Sequence, residues 1–424
     1  MPQTPNSPRL FGFWALIAAQ FQGAFSDNVL KWLVSFLVLE AAFSKDRRDL
    51  WFVVIVPLLF AVPFLLFSIP GGYFADKYSK RSVTIGTKLF ELLIMSFVTF
   101  ALAINRLDLA AAGLFLESTL GAIFGPSKYG LLPELLPEQK LSWGNGIIEL
   151  TTLLSAIIAA LAGAFLARTF HGRQFWSGIV FLTLTVLGLL ASLGISKVPA
   201  ANPSLKFDWN VPGEFFRELG RIRRDSVLSM AVVANTFFWF LGSLLLLNIV
   251  LYATDVLHVD ETKSSYLLAS LSLGIGVGSF LAGLVSKKRI ETGMVLPGLL
   301  GIFLMAALLC RPNLGYLTVL IQLALLGLAS GFYVVPVNAL IQHRPKPEEK
   351  GRTIAAANLL SFVGVALQPI AQYAMLRLGH PDPSRIFLIS AVMAAIMGLV
   401  LLRMLPELFP QALDWTHLRP RSTL

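Results

Sequence analysis

The sequence predicts an all-α integral membrane protein, with twelve transmembrane helices in two pseudo-symmetric six-helix bundles. Three observations carry this. Of 424 residues, 56% are hydrophobic and only 14% charged, with a mean hydropathy of +0.72, far too little charge to cover a water-soluble surface of this size. The apolar residues gather in long runs, and about 20 such residues make a helix that crosses a bilayer core. The basic residues between the runs favour alternate loops, so the net charge of +10 reads as topology and not as nucleic-acid binding.

The runs lie at 10–41, 51–74, 82–104, 109–132, 143–168, 175–197, 227–254, 264–286, 294–311, 313–342, 352–378 and 384–405. Twelve spans put both termini on one side. That side holds 22 of the 34 Lys and Arg, with the loop after span 2 counted through Lys88. The other side holds 10, and Lys31 and Lys128 fall inside spans. The positive-inside rule then places both termini in the cytoplasm. Residues 1–9 show no cleavage pattern, so no removable signal peptide is expected. Cys310 is alone, which rules out an intrachain disulfide.

The longest polar stretch, with Pro199, Pro203, Pro212 and the basic Arg221, Arg223 and Arg224, separates the halves. The expected organisation is a first bundle over 1–197, a cytoplasmic linker over 198–226, a second bundle over 227–406 and a tail over 407–424. Residues 215–224 read either as an amphipathic helix on an anionic leaflet or as a solvated linker. Weak internal symmetry supports two halves. Gly121 and Pro126 match Gly331 and Pro336 at an offset of 210, and Gly72 to Arg81 corresponds to Gly283 to Arg289. Parallel six-span repeats of this kind build one large transporter fold.

The segment Gly72-Tyr-Phe-Ala-Asp76-Lys77-Tyr-Ser-Lys80-Arg81 follows span 2. It resembles the signature of the major facilitator superfamily in that loop, with Ser79 where Gly is usual. Gly72 permits close helix approach, and Asp76 suits the positive end of another helix. The resemblance implies that Asp76 latches onto the start of span 11, here Gly351-Arg352, in an outward-open state. Gly72, Asp76, Lys77, Lys80, Arg81 and Arg352 are therefore the candidate latch. Lys287 stands where Asp76 would recur in the second half, so one latch is expected.

Span 1 carries Gly23-Ala-Phe-Ser-Asp27-Asn28-Val-Leu-Lys31. Asp27 and Lys31 are four apart and share a helix face, so they can pair. Charges at mid-membrane are costly, which makes them functional candidates; the alternative is a structural pair. Span 4 ends in Phe124-Gly-Pro126-Ser-Lys128-Tyr-Gly130-Leu-Leu-Pro133-Glu134-Leu-Leu-Pro137. Pro126 interrupts the helix ladder, and freed backbone beside Lys128 makes an anion-friendly pocket. Glu117 lies eleven residues earlier, about 20° away in angle, and faces the same interior. The alternative is that Lys128 snorkels to the surface. Span 5 opens with Asn145 and Glu149, the latter interfacial or functional, and Glu91 lies in span 3. Spans 7 and 8 hold no interior charge, while spans 10 and 11 offer Asn338, Gln342, Asn358 and Gln368. A charged first half and a neutral second half suit an amphiphile better than a sugar.

These runs in spans 1 and 4, the continuation into Asn145 and Glu149, and Gly331-Phe-Tyr-Val-Val-Pro336-Val-Asn338-Ala-Leu-Ile-Gln342-His-Arg344 together resemble the lysophospholipid transporter (LplT) family. The resemblance covers nearly the whole membrane region. It implies flipping of lysophospholipids, such as lysophosphatidylethanolamine, to the inner leaflet of a bacterial inner membrane by alternating access. A separate acyltransferase is then an expected partner. None of His171, His258, His343, His380 or His417 has an Asp five residues on, so no fused acyltransferase is expected. The expected substrate-binding set is Asp27, Asn28, Lys31, Lys128, Glu149, Glu117 and Asn338. A monomer with no cofactor and no metal is expected. The alternative transporter is a proton-coupled exporter of drugs or metabolites using Glu91, Glu117 or Glu149. A membrane enzyme is not expected, because five scattered His and one Cys give neither a nucleophile nor a metal set. A receptor or scaffold without transport stays open.

Overall fold

A computed structural model of the chain describes residues 7–44, 51–286, 290–379 and 383–415. Fourteen α-helices run through them. Twelve are long: α1 (Ser7–Ser44), α2 (Trp51–Lys77), α3 (Lys80–Ala103), α4 (Leu107–Leu135), α5 (Leu141–Thr169), α6 (Phe175–Leu193), α8 (Ser226–Asp255), α9 (Glu261–Val285), α10 (Val295–Leu309), α11 (Tyr316–His343), α12 (Lys350–Gly379) and α13 (Pro383–Met404). Each falls on one of the twelve apolar runs. Nine of them, among the described residues, are apolar and long enough to cross a membrane. Two short helices lie outside the spans, α7 (Val211–Ile222) in the linker and α14 (Leu408–Trp415) in the tail. The linker is therefore helical, starting four residues before the sequence-based expectation.

The connections alternate in kind. Asn105, Gly172, His258 and Asn313 all have positive φ, and they close the turns after α3, α5, α8 and α10. The connections before α5, α10 and α12 instead carry single 3-10 turns at Glu138–Lys140, Thr292–Met294 and Pro347–Glu349. Asp225 caps α8, accepting from the backbone N–H of Val227 and Leu228, and Asp260 caps α9.

The helices are built inside out. On α3 the buried face holds Lys80, Thr84, Thr87, Lys88 and Glu91. Its exposed residues include Leu89, Phe90, Leu93 and Phe100. Lipid accepts apolar side chains, so the polar ones turn inward where they find partners.

The chain divides into two compact units. The first comprises Met1–Leu136, Leu154–Glu218 and Lys346–Leu359, so it includes the opening turns of α12. Its apolar core gathers Leu30, Leu33, Met95, Val98, Leu114 and Phe181 from α1, α3, α4 and α6. The second comprises Pro137–Leu153, Leu219–Pro345 and Leu360–Leu424, including the opening turns of α5. Within it, α9 and α11 pack backbone to backbone through small residues. A Cβ added at Gly278 would collide with the Leu328 carbonyl, so glycine there permits the close approach.

Candidate functional site

The interior of the first unit is charged. On α1, Gln22 donates to Glu91 of α3 at 2.8 Å and to Ser26 at 2.9 Å. Lys88 donates to Gln22 at 2.6 Å and pairs with Glu91 at 2.5 Å. Thr185 of α6 adds a hydrogen bond to Glu91. Lys88 and Glu91 are both buried. Lys88 therefore belongs to a span interior and not to the loop count in which the sequence placed it. The signal was present: Lys88 and Glu91 are three apart, on one helical face.

One turn along α1, the Asp27 carboxyl shares a side-chain hydrogen bond with Glu117 of α4 and lies against Gly121. Lys31 donates to Asn28 at 3.0 Å, and Asn28 donates to the Ala24 carbonyl. Asp27 thus meets Glu117 as well as standing within electrostatic reach of Lys31, whose ammonium also donates to Asn28. Lys128 is half-buried, its ammonium 4.6 Å from the centre of the Tyr129 ring. Gly125 of α4 faces the amide of Asn358 on α12. Asp27, Asn28, Lys31, Glu117 and Lys128 all belong to this unit. Glu149, buried on α5, and Asn338, half-buried on α11, belong to the second.

At the end of α2 the latch residues separate into distinct roles. Fully buried Asp76 accepts the backbone N–H of Gly351 at 2.6 Å and of Arg352 at 3.1 Å, and the Arg352 side-chain Nε at 3.1 Å. It thereby caps the otherwise unsatisfied first turn of α12 and meets its positive end. Gly72 makes room: a Cβ there would lie 2.6 Å from the Ala355 Cβ and 2.8 Å from the Gly351 carbonyl. Lys80 is fully buried and pairs with Glu134 of α4 at 2.5 Å, lying over Gly130, where a Cβ would come within 2.7 Å of it. The loop motif and the span 4 motif therefore interlock. Arg81 closes the end of α6 by donating to the carbonyls of Ile195 and Leu193. Lys77 lies over the rings of Tyr73 and Tyr78. Gly72, Asp76 and Arg352 thus form one contact; Lys77, Lys80 and Arg81 serve others.

The linker joins that contact. The Asn202 backbone donates to the Asp76 carbonyl at 2.8 Å. Arg352 reaches Glu214 of α7 at 3.2 Å, and Thr353 donates to buried Glu218 at 2.5 Å. Arg217 braces Glu214 at 2.6 Å. Burial pushes the Glu214 carboxyl up, but the hydrogen bonds and charge of Arg217 and Arg352 outweigh it and hold the carboxyl below its ordinary value. Sequence reading missed Glu214 and Glu218. Among the described residues no group of three or more His, Cys, Asp and Glu is placed to hold a metal ion.

The sequence profile of the Major Facilitator Superfamily matches residues 16–369. A protein named lysophospholipid transporter LplT from Klebsiella pneumoniae (strain 342) is 28% identical over 372 residues, 85% of this chain and 88% of the relative. One of the same name from Escherichia coli O157:H7 is 30% identical over 356 residues, 82% and 84% respectively. Among solved structures, the E. coli fucose:proton symporter FucP (N162A) has a TM-score of 0.74 at 16% identity, covering 93% of this chain and 99% of that one. The human organic anion transporter MFSD10 has a TM-score of 0.74 at 14% identity, covering 93% and 100%. These two likenesses concern the fold alone.

Proposed function

The chain belongs to the lysophospholipid transporter (LplT) family of the major facilitator superfamily, and from that premise we propose that it moves lysophospholipids across a bacterial inner membrane by alternating access. It is a multi-pass membrane protein of a transporter family. The observation that carries the substrate is the uneven interior. The first unit buries Lys88, Glu91 and Glu117, half-buries Asp27, and holds Lys31 and Lys128 beside them. A zwitterionic head group needs both signs of charge, and a single acyl chain needs only the apolar helix faces that lipid already wets.

In this reading Lys128 and Lys31 attract the phosphate, and the Asp27–Glu117 pair meets the ammonium of an ethanolamine. Glu149, Asn28 and Asn338 supply further polar contacts. The Gly72–Asp76–Arg352 contact holds one end state of the cycle. The chain acts as a monomer without catalysis, both termini are cytoplasmic, and a separate acyltransferase consumes the delivered lysolipid. The basic-residue bias supports the orientation even with Lys88 removed from the loops. Reconstitution into vesicles with fluorescent lysophosphatidylethanolamine tests the site. Lys128→Ala and Asp27→Ala are expected to lose most flipping, and wild-type rates in both would remove the site assignment.

A second reading, proton coupling, is favoured by one contact, the meeting of the Asp27 and Glu117 carboxyl groups. A flipping rate that follows an imposed pH gradient supports it, and a rate indifferent to the gradient removes it.

A further inference from the structure

The Gly72 contact has an uncharged counterpart. Gly72 approaches the carbonyl oxygen of Gly351 and the Cα of the next residue, Arg352. Gly283 of α9 approaches the carbonyl oxygen of Ser142, at 2.9 Å from an added Cβ, and the Cα of the next residue, Trp143, at 2.8 Å. Both glycines thus face a carbonyl oxygen and the Cα of the residue after it, while Gly72 also meets the Ala355 Cβ. The position matching Asp76 is Lys287, so a matching carboxylate cap is not expected; Lys287 itself lies outside the described residues.

A different pair occupies α5 beside this contact. Asn145 donates to the Gln342 side-chain oxygen of α11 at 2.9 Å, and Gln342 donates back to Asn145 at 2.6 Å. Both amides are buried. Asn145 also donates to the Leu141 carbonyl at 3.0 Å. The next residue of α5, Gly146, abuts the Ser279 carbonyl of α9. The start of α5 is thus bound to the ends of α9 and α11 by glycine contacts and a reciprocal amide pair, and beside them exposed His343 of α11 lies 3.4 Å from Glu138 in the turn before α5.

We propose that Asn145 and Gln342 are positioning residues for transport, forming a second closure, centred on a buried neutral pair, that releases in every cycle. The proposal rests on the alternating-access reading. Asn145 precedes the linker and Gln342 follows it, 197 residues away. By span counting, the pair lies at the same membrane face as Asp76. Alternating access parts the two six-span halves at one face, so a bond joining them there holds only while that face is closed. A neutral amide pair suits a contact made and broken repeatedly. Each hydrogen bond is worth little net, so the buried pair opens at modest cost.

The test combines conformation and transport in a Cys310→Ser background. Ser142→Cys reports opening of the closure through its alkylation rate with N-ethylmaleimide. Asn145→Ala with Gln342→Ala removes both partners together, so no orphaned amide is buried. Roughly ten-fold faster alkylation is expected, on the scale of two lost net hydrogen bonds. Lysophosphatidylethanolamine flipping should change in maximal rate, with the half-saturating concentration within about two-fold. The exchanged pair, Asn145→Gln with Gln342→Asn, is expected to restore the wild-type alkylation rate. Unchanged alkylation in the double alanine variant, or no recovery in the exchanged pair, overturns the proposal. If the double alanine variant does not reach the membrane, Asn145→Ser alone decides by the same alkylation readout. A wild-type protein that flips no lysolipid would instead remove the transport reading, while the alkylation result would still judge the closure.

Discussion

Replacing Asp76 with Asn should open the contact between α2 and α12. The wild-type carboxylate uses both oxygens, taking the Gly351 N–H on one and the Arg352 N–H and Nε on the other. An amide has one acceptor oxygen and turns two donors toward groups that are themselves donors. At least one hydrogen bond is lost, and so is the attraction to Arg352 and to the positive end of α12. Hydrogen bonds to charged groups are worth about 1.5–3 kcal/mol, and breaking a buried pair costs about 3–5 kcal/mol. Arg352 keeps Glu214 as a second partner, which moderates the loss. The expected destabilisation of the engaged contact is about 2–3 kcal/mol, a shift of roughly 30- to 150-fold in its equilibrium. Ala355, fully buried beside Gly72, supplies the probe. In a Cys310→Ser background, alkylation of Ala355→Cys should accelerate by at least ten-fold when Asp76→Asn is added. Alkylation within about two-fold of the parent would refute the reasoning, because the contact would then hold without its carboxylate.

Three further outcomes follow from particular contacts. Lys88→Met leaves Glu91 buried without its cationic partner, and should cost about 3–5 kcal/mol of stability; adding Glu91→Leu should recover much of that, read as a double-mutant cycle in thermal unfolding. Gly278→Leu drives a side chain into the Leu328 carbonyl and should destabilise by about 1–3 kcal/mol or more, with loss of folded protein on size exclusion. Glu214 is held below its ordinary value. A depressed carboxyl contributes stability above its unfolded value and loses it as pH falls through the lower folded value. Hydrogen–deuterium exchange of residues 211–222 should therefore stay slow from neutral pH to about pH 5, whereas Glu214→Gln should exchange faster at neutral pH.

The spans were legible because a bilayer demands one unbroken apolar run per helix, and that demand is local in sequence. The Asp76 contact was legible for a different reason: a carboxylate at a fixed spacing from Gly72 and two basic residues has few structural uses. Lys80 and Arg81 were legible as members of that motif but not in their roles. Their partners, Glu134 and the end of α6, are set by packing between distant segments. Lys88 was misplaced because proximity to a loop was weighed above its position on the Glu91 face. The interior of spans 1 and 4 was legible as a set of charges, but the meeting of Asp27 with Glu117, 90 positions away in sequence, depends on packing between α1 and α4. The linker's acidic residues were invisible for the same reason, since Glu214 lies 138 residues from Arg352. The Gly283 contact is made by backbone atoms and leaves no side-chain pattern to read.

Lysolipid flipping by the purified wild-type protein tests the central claim most directly. Vesicles carrying fluorescent lysophosphatidylethanolamine in the outer leaflet are treated with albumin, which extracts only what has not crossed. The protein is expected to move the lysolipid into the protected leaflet many-fold faster than protein-free vesicles, and to leave the two-chain phospholipid of the same head group behind. A lysolipid rate equal to that of protein-free vesicles, in a preparation that still moves a soluble organic solute down a pH gradient, would contradict it.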